Sequence, residues 1–331
     1  MRIVHISGGQ GLPDVWTEAF VAALEARGEL TLHHGTGPLS FEESAELVRP
    51  HDVAIVGWDA HGLSPLLATD PGQLRYVCSY SGTIRHSVPR ELVEAGLMVS
   101  NWGDLPAAGI AEAAMTLLLA VTNDLPAAIR AGRDGEWGYQ TTTAGLLEDL
   151  AVGVYGMGVI GRRFVELLRP FRPRIRAYDP YAATLPDDVE RADSLDELCD
   201  WCEALVIHAA LSDETRGSVT AEHLAALPDS GVIINTARGA IVDQDALFAE
   251  LDTGRLRAGL EVLEPDALDP AHPLRQRDNV IFTFHQLGGG PWPPRPGLTP
   301  MQQRVLDQLD RYARGEPPLF LFDLDRYDRS T

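Results

Sequence analysis

Short apolar runs rich in β-branched residues alternate with amphipathic segments along the whole chain. Runs at 2–6, 52–56, 76–79, 98–100, 151–155, 174–178, 204–208, 232–235 and 280–282 read as strands. Segments at 15–26, 110–121, 162–168, 193–200 and 243–251 carry apolar residues at three- and four-residue spacing, and so read as helices. A further helix is predicted at 301–314, after a Pro- and Gly-rich stretch at 288–297. That stretch reads as a crossing between domains or as a long surface loop. The alternation predicts an α/β chain of parallel sheets covered by helices on both faces. No repeat of 20–50 residues and no low-complexity tract interrupts it.

Composition narrows the possibilities. The chain has 331 residues, 45% of them hydrophobic, enough for two domains with cores of their own. A net charge of −21 argues against nucleic acid or an acidic membrane as a partner. The opening MRIVHIS reads as a first strand and not as a signal peptide, and the apolar run at 113–121 falls well short of the roughly 20 residues of a membrane span. The 3 cysteines, Cys78, Cys199 and Cys202, are too few for a disulfide framework and fit a reducing compartment, so a cytoplasmic location is expected. Cys199 and Cys202 have no second cysteine pair to complete a zinc site; a spacing of three puts both on one helix face, where packing explains them. No metal is expected.

The strongest local signal begins at Ala151. A five-residue strand runs into Gly156-Met157-Gly158-Val159-Ile160-Gly161, which opens a helix. In such a loop the first glycine permits the tight turn, the second lets the backbone approach a pyrophosphate, and the third lets helix and strand pack closely. The helix N-terminus then offers free N–H groups and a positive dipole end to the phosphates. The next strand ends in Asp179, close to the roughly 20 residues downstream at which an acid accepts hydrogen bonds from the adenosine ribose. An acid there repels a 2′-phosphate, which favours NAD over NADP.

Further along, the sequence resembles the NAD-dependent D-isomer-specific 2-hydroxyacid dehydrogenases, a family that includes phosphoglycerate, glyoxylate/hydroxypyruvate and D-lactate dehydrogenases. The likeness runs from about Leu74 to Leu287. It is carried by SGT at Ser81 to Thr83, the pair Ala111-Glu112, the glycine loop, SDETRG from Ser212, and INTARGAIVDQDAL from Ile234. HPL from His272 and TFH from Thr283 follow. The resemblance implies two doubly wound domains. A Rossmann NAD-binding domain at 104–285 would be inserted into a flavodoxin-like substrate domain made of 1–103 and 286–331, with the active site in the cleft between them. It also implies a homodimer, in which helix 110–121 is an inter-subunit surface; burial inside the monomer fits its pattern equally.

Oxidising a 2-hydroxy acid needs a clamp for the carboxylate, a base for the hydroxyl proton, and a nicotinamide near the carbon-bound hydrogen. Arg238 follows the strand at 232–235, at the end where doubly wound sheets bind ligands. Its planar fork suits a carboxylate. By position alone it would pair with a surface acid, whereas the resemblance makes it the clamp, with the N–H groups of Gly82 and Thr83 also binding substrate. His285 ends the strand at 280–282 and precedes a glycine run, and histidine titrates near the working pH. The resemblance makes it the general acid/base, while His208 matches a structural strand end.

The family's D-V-x-x-x-E-P pattern is altered in this chain. Asp266 stands where the glutamate that orients the histidine is expected, with Glu264 as the alternative. Glu261 stands where an aspartate contacts the nicotinamide amide. Ala210 and Phe284 each replace a usual proline. Cofactor contacts are implied at Gly156 to Gly161, Asp179, Ala210, Thr215, Thr236, Ala237, Glu261, His285 and Gly288. Arg85, with His86, would form a positive wall for a second acidic group, or else faces solvent or pairs locally. The expected function is hydride transfer between NAD(H) and a small D-2-hydroxy acid or its 2-keto acid. The rival reading is an NAD(H)-sensing, corepressor-like binding protein. The sequence does not name the acid.

Overall fold

The computed structural model describes residues 1–8, 15–34, 37, 39–137, 143–289 and 296–328. Its contacts divide the chain into two compact units, Met1–Leu105 with Gly290–Thr331, and Pro106–Gly289. Most of the Pro- and Gly-rich stretch, 290–295, lies outside the described residues.

The first unit opens with β1 (Arg2–Ser7), α1 (Glu18–Glu25), β2 (Glu29–His34), α2 (Phe41–Val48) and β3 (Val53–Val56). It continues with β4 (Tyr76–Ser79), α3 (Arg90–Glu94) and β5 (Met98–Ser100). The five strands are all parallel, in the order β2-β1-β3-β4-β5, a flavodoxin-like arrangement. Strand β2 has no predicted counterpart. It lies at the sheet edge, pairs only with β1, and none of its residues is buried, so it never needed the apolar run by which a strand is read. Helix α2 starts with a capping box, in which Ser40 accepts from the Glu43 N–H and Glu43 accepts from the Ser40 N–H.

The second unit contains α4 (Ala107–Thr122), α5 (Leu125–Arg133), β6 (Ala151–Tyr155), α6 (Val159–Leu168), β7 (Arg174–Tyr178), β8 (Glu190–Arg191) and α7 (Leu195–Trp201). It goes on with β9 (Ala204–Ile207), α8 (Ala221–Ala226), β10 (Val232–Asn235), α9 (Gln244–Thr253), β11 (Arg257–Leu260) and β12 (Val280–Phe282). Seven parallel strands run in the order β12-β11-β10-β9-β6-β7-β8, so the winding reverses between β6 and β9. That reversal is where a doubly wound sheet binds ligands at its strand ends. Strand β11 was also missed in the sequence. Its centre is Gly259, where a Cβ would fall 2.8 Å from the Leu117 Cβ, so α4 rests directly on the strand. Helix α4 buries Ala111, Ala114, Met115, Leu117, Leu118 and Val121 in the core of this unit, so its apolar face is satisfied within the monomer.

Cys199 and Cys202 are both buried, and burial pushes both thiols above their ordinary value. Cys202 lies one residue past α7 in extended conformation, which corrects the expectation that both share a helix face. Its sulfur fills the space left by Gly153, where a Cβ would lie 3.0 Å away. The chain completes the first unit with α10 (Pro300–Ala313) and α11 (Leu324–Asp328). From α10, Val305, Leu306 and Leu309 pack with Ile3, Phe20 and Tyr76. No single described helix is long and apolar enough to cross a membrane.

Candidate active site

The glycine loop leaves β6 at Tyr155. Gly156 has φ 97°, and a Cβ there would lie 2.5 Å from the Ala209 nitrogen, so only glycine makes the turn. At Gly161 a Cβ would lie 2.1 Å from the Gly156 oxygen, which is why α6 can close onto the end of β6. Gly158 caps α6 and has nothing within 4 Å of a Cβ position, leaving open space before the helix N-terminus. Met157 is buried, Ile160 half-buried and Val159 exposed. Asp179, just past β7, holds the loop: one carboxylate oxygen accepts from the Met157 N–H at 2.7 Å, the other from the N–H groups of Tyr181 and Ala182.

His208 follows β9 with its ring 5.0 Å from that of Phe164. Neither ring nitrogen has a hydrogen-bond partner, and burial pushes the imidazole down to about 3, so it stays neutral and hydrophobic in behaviour. In the turn beyond, the Thr215 hydroxyl donates to the Ala210 carbonyl at 2.6 Å. After β10, Asn235 is buried and ties the next turn at both ends. Its Oδ1 accepts from Ala237 N–H at 3.0 Å, and its Nδ2 donates to the Arg238 carbonyl at 2.9 Å. Thr236 lies inside that turn with a buried hydroxyl that has no hydrogen-bond partner. The Arg238 guanidinium donates to the Ala237 carbonyl at 2.7 Å. Burial pushes it below the usual arginine value, and the charge of Asp266 works in the opposite direction.

His285 Nδ1 and Asp266 Oδ2 are 2.5 Å apart, and the other Asp266 oxygen accepts from Leu263 N–H at 2.9 Å. Glu264, the alternative partner, is exposed, and its backbone is held instead by both ends of the Gln244 amide. The histidine sits in an unusual turn. Phe284 and His285 have φ 48° and 59°, left-handed positions that cost non-glycine residues about 1–2 kcal/mol each. Glu261, directly after β11, keeps the turn closed: its carbonyl accepts from the His285 N–H at 2.8 Å, and its carboxylate accepts from Leu287 N–H at 2.7 Å and from the Thr283 hydroxyl. A proline at 284 could not adopt this φ, so Phe284, stacked 5.7 Å from Phe282, belongs to the same turn. Gly288, at φ 78°, then packs against Gly109 at the start of α4.

Glu261 is 4% exposed, and burial raises its carboxyl above the ordinary glutamate value. A raised carboxyl favours the neutral form, so the folded state loses stability as pH rises through the raised value. Glu261→Gln can still accept from Leu287 and donate to Thr283 without that cost. We expect its thermal midpoint to match the parent below about pH 4, the ordinary carboxyl range, and to exceed it at neutral pH; scanning calorimetry at both pH values checks this.

In the first unit the Gly82 carbonyl accepts from the Asn101 amide at 2.9 Å, and the Ser81 hydroxyl donates to the Thr83 carbonyl at 2.8 Å. Ser81 in turn bonds Ser79, so two side chains that the sequence did not single out, Ser79 and Asn101, help to shape this loop. Arg85 is exposed, as one of the two sequence readings expects, and its guanidinium donates to the carbonyls of Tyr327 and Asp328. His86 is 3.1 Å from the Gly57 carbonyl. Other unforeseen residues are Asn235, Thr283 and Gln244, whose roles depend on the tertiary position of their partners. Among the described residues, no group of three or more His, Cys, Asp or Glu side chains could hold a metal ion.

The second unit therefore gathers its chemistry at the strand ends: a glycine cradle with open space, an acid after β7, a buried free hydroxyl after β10, a half-buried guanidinium and a His–Asp pair. The open Gly158 position and the unpartnered Thr236 hydroxyl fit a dinucleotide laid across these ends. Residues 115–286 match the family model described as D-isomer specific 2-hydroxyacid dehydrogenase, NAD binding domain. The chain is 30% identical to D-3-phosphoglycerate dehydrogenase of Methanocaldococcus jannaschii over 277 residues, which are 81% of this chain but only 51% of that protein. It is 32% identical to hydroxypyruvate reductase of Thermotoga maritima over 195 residues, covering 58% of this chain and 63% of the other. The chain thus spans between half and two thirds of the length of these relatives. Among solved structures it is similar to the TT0316 protein from Thermus thermophilus, with 27% identity, a TM-score of 0.76, and coverage of 97% and 99% of the two chains. The chain belongs to the D-isomer specific 2-hydroxyacid dehydrogenase family.

Proposed function

We propose that the protein is an NAD-dependent oxidoreductase interconverting a small D-2-hydroxy acid and its 2-keto acid. The observation that carries this reading is the His285–Asp266 contact at 2.5 Å on the same unit as the glycine cradle and the half-buried Arg238. Gly156 to Gly161 and the α6 N-terminus would hold the pyrophosphate, Asp179 the adenosine ribose, and Ala210, Thr215, Thr236, Ala237, Glu261, His285 and Gly288 the remainder of the cofactor. When bound, the nicotinamide supplies or takes up the hydride at C2 of the acid. Arg238 holds the substrate carboxylate in a two-pronged hydrogen bond. On the first unit, the N–H groups of Gly82 and Thr83 are proposed substrate contacts. Asp266 accepts the Nδ1 proton of His285 and so leaves Nε2 to take the hydroxyl proton in oxidation and to return it to the keto oxygen in reduction. Glu261, which closes the His285 turn, is the proposed contact to the nicotinamide amide. The three free, buried cysteines are compatible with the proposed cytoplasmic location. A homodimer is supported by the exposed Leu125 and Ile129 of α5 and by Trp137 beyond it, and sedimentation equilibrium tests it.

The test of the activity is NADH oxidation with glyoxylate, hydroxypyruvate, pyruvate, phenylpyruvate and 3-phosphohydroxypyruvate supplied separately. Turnover with one of these acids supports the reading. Tight NADH binding with silence across the panel opposes it and favours an NAD(H)-sensing protein. Running NADPH in parallel tests Asp179. Its carboxylate repels a 2′-phosphate, so Asp179→Ser should reduce the preference for NADH over NADPH by at least about tenfold, the equivalent of roughly 1.4 kcal/mol.

A further inference from the structure

We infer that the acid bound at Gly82 and Thr83 carries an aromatic side chain, which lies against Trp58. The inference rests on the 2-hydroxyacid reading above and names its substrate class. Strands β3 and β4 are neighbours in register, Val56 opposite Ser79, so the segments that follow them emerge side by side at the ligand-binding edge of the first unit's sheet. Two glycines let aromatic rings settle onto these segments. A Cβ at Gly57 would fall 1.9 Å from the Tyr80 ring, and one at Gly82 would fall 2.7 Å from Trp102 Nε1. Trp58 joins both rings edge-on, 5.1 Å from Trp102 at 71° and 5.9 Å from Tyr80 at 70°.

Tyr80 is fully buried and Trp102 half-buried, but Trp58 is 56% exposed. An indole held by two T-shaped ring contacts and more than half exposed offers apolar surface beside the substrate loop. The Tyr80 hydroxyl is buried beneath it with no hydrogen-bond partner, a polar group that the protein itself does not satisfy. The charges around the loop disfavour the other substrate classes. Arg85 is committed to the Tyr327 and Asp328 carbonyls, His86 lies against the Gly57 carbonyl, and His5 lies between the Ile55 carbonyl and Asp59. A phosphate on the substrate would therefore have to compete with two backbone carbonyls for the Arg85 guanidinium. A two-carbon acid such as glyoxylate would leave the indole uncovered.

The test measures kcat/KM with NADH for phenylpyruvate, glyoxylate and 3-phosphohydroxypyruvate in the parent, Trp58→Ala and Trp58→Phe. We expect the parent to prefer phenylpyruvate over each of the others by at least about tenfold. Trp58→Ala should lower the phenylpyruvate value at least about tenfold more than the glyoxylate value, and Trp58→Phe, which keeps a ring, should restore most of the difference. Preference for glyoxylate or for the phosphorylated acid overturns the inference while leaving the dehydrogenase reading intact. Equal losses on all substrates in Trp58→Ala also overturn it, since a merely structural tryptophan would behave that way. Absence of turnover with every acid overturns both.

Discussion

Replacing His285 with alanine should abolish keto-acid reduction, lowering kcat by about 10²–10⁴-fold, while NADH affinity changes only a few-fold. The expectation follows from how the ring is held. The imidazole projects from a turn closed by the Glu261 carbonyl and carboxylate, so its removal leaves the glycine cradle, Asp179 and Thr236 where they are. Asp266→Asn is the companion variant. Its Oδ1 can still accept from Leu263, but its amide nitrogen would then face His285 Nδ1 and donate to it. That selects the tautomer with the proton on Nε2, which is unable to accept one from the substrate hydroxyl. Oxidation of the hydroxy acid should therefore fall by about the same factor as in His285→Ala. Stopped-flow turnover in both directions, with fluorescence titration of NADH, checks both variants. Loss of NADH binding in either would mean that the pair supports the fold and not the proton.

Arg238→Lys should lower kcat/KM by at least about a hundredfold, most of it in KM, even though charge is retained. Lysine offers one point charge where the guanidinium fork offers two parallel donors, and losing a partner of a buried charge pair costs about 2–5 kcal/mol. The turn that carries Arg238 does not depend on it, because Asn235 ties both Ala237 and the Arg238 carbonyl. Thermal stability should consequently change little. A comparable fall in melting temperature would instead mark Arg238 as a structural residue.

The legible parts of the fold were those with a local cause. Strands buried on both faces, such as Val232–Asn235, read directly as apolar runs, and the Gly156 to Gly161 loop announced itself because each glycine is required by a backbone contact. Strand β2 was invisible because none of its residues is buried, and β11 because its glycine serves the close approach of α4. In the site, Asp266 could be named but not distinguished from Glu264, since which carboxylate reaches His285 depends on the path of the chain between them. The closing of the His285 turn by Glu261 and Thr283 could not be read at all: the two lie on segments brought together only by the pairing of β11 with β12. Nor could the fate of Arg85, whose carbonyl partners come from α11 near the far end of the chain.

The most direct test of the central claim is to reduce the best keto acid with NADH carrying deuterium at both C4 positions of the nicotinamide, and to analyse the product by mass and by chiral chromatography. The account predicts the D-2-hydroxy acid with a single deuterium at C2, formed by the parent and not by His285→Ala. An L-product, a product without deuterium at C2, or equal yield from the alanine variant would contradict it.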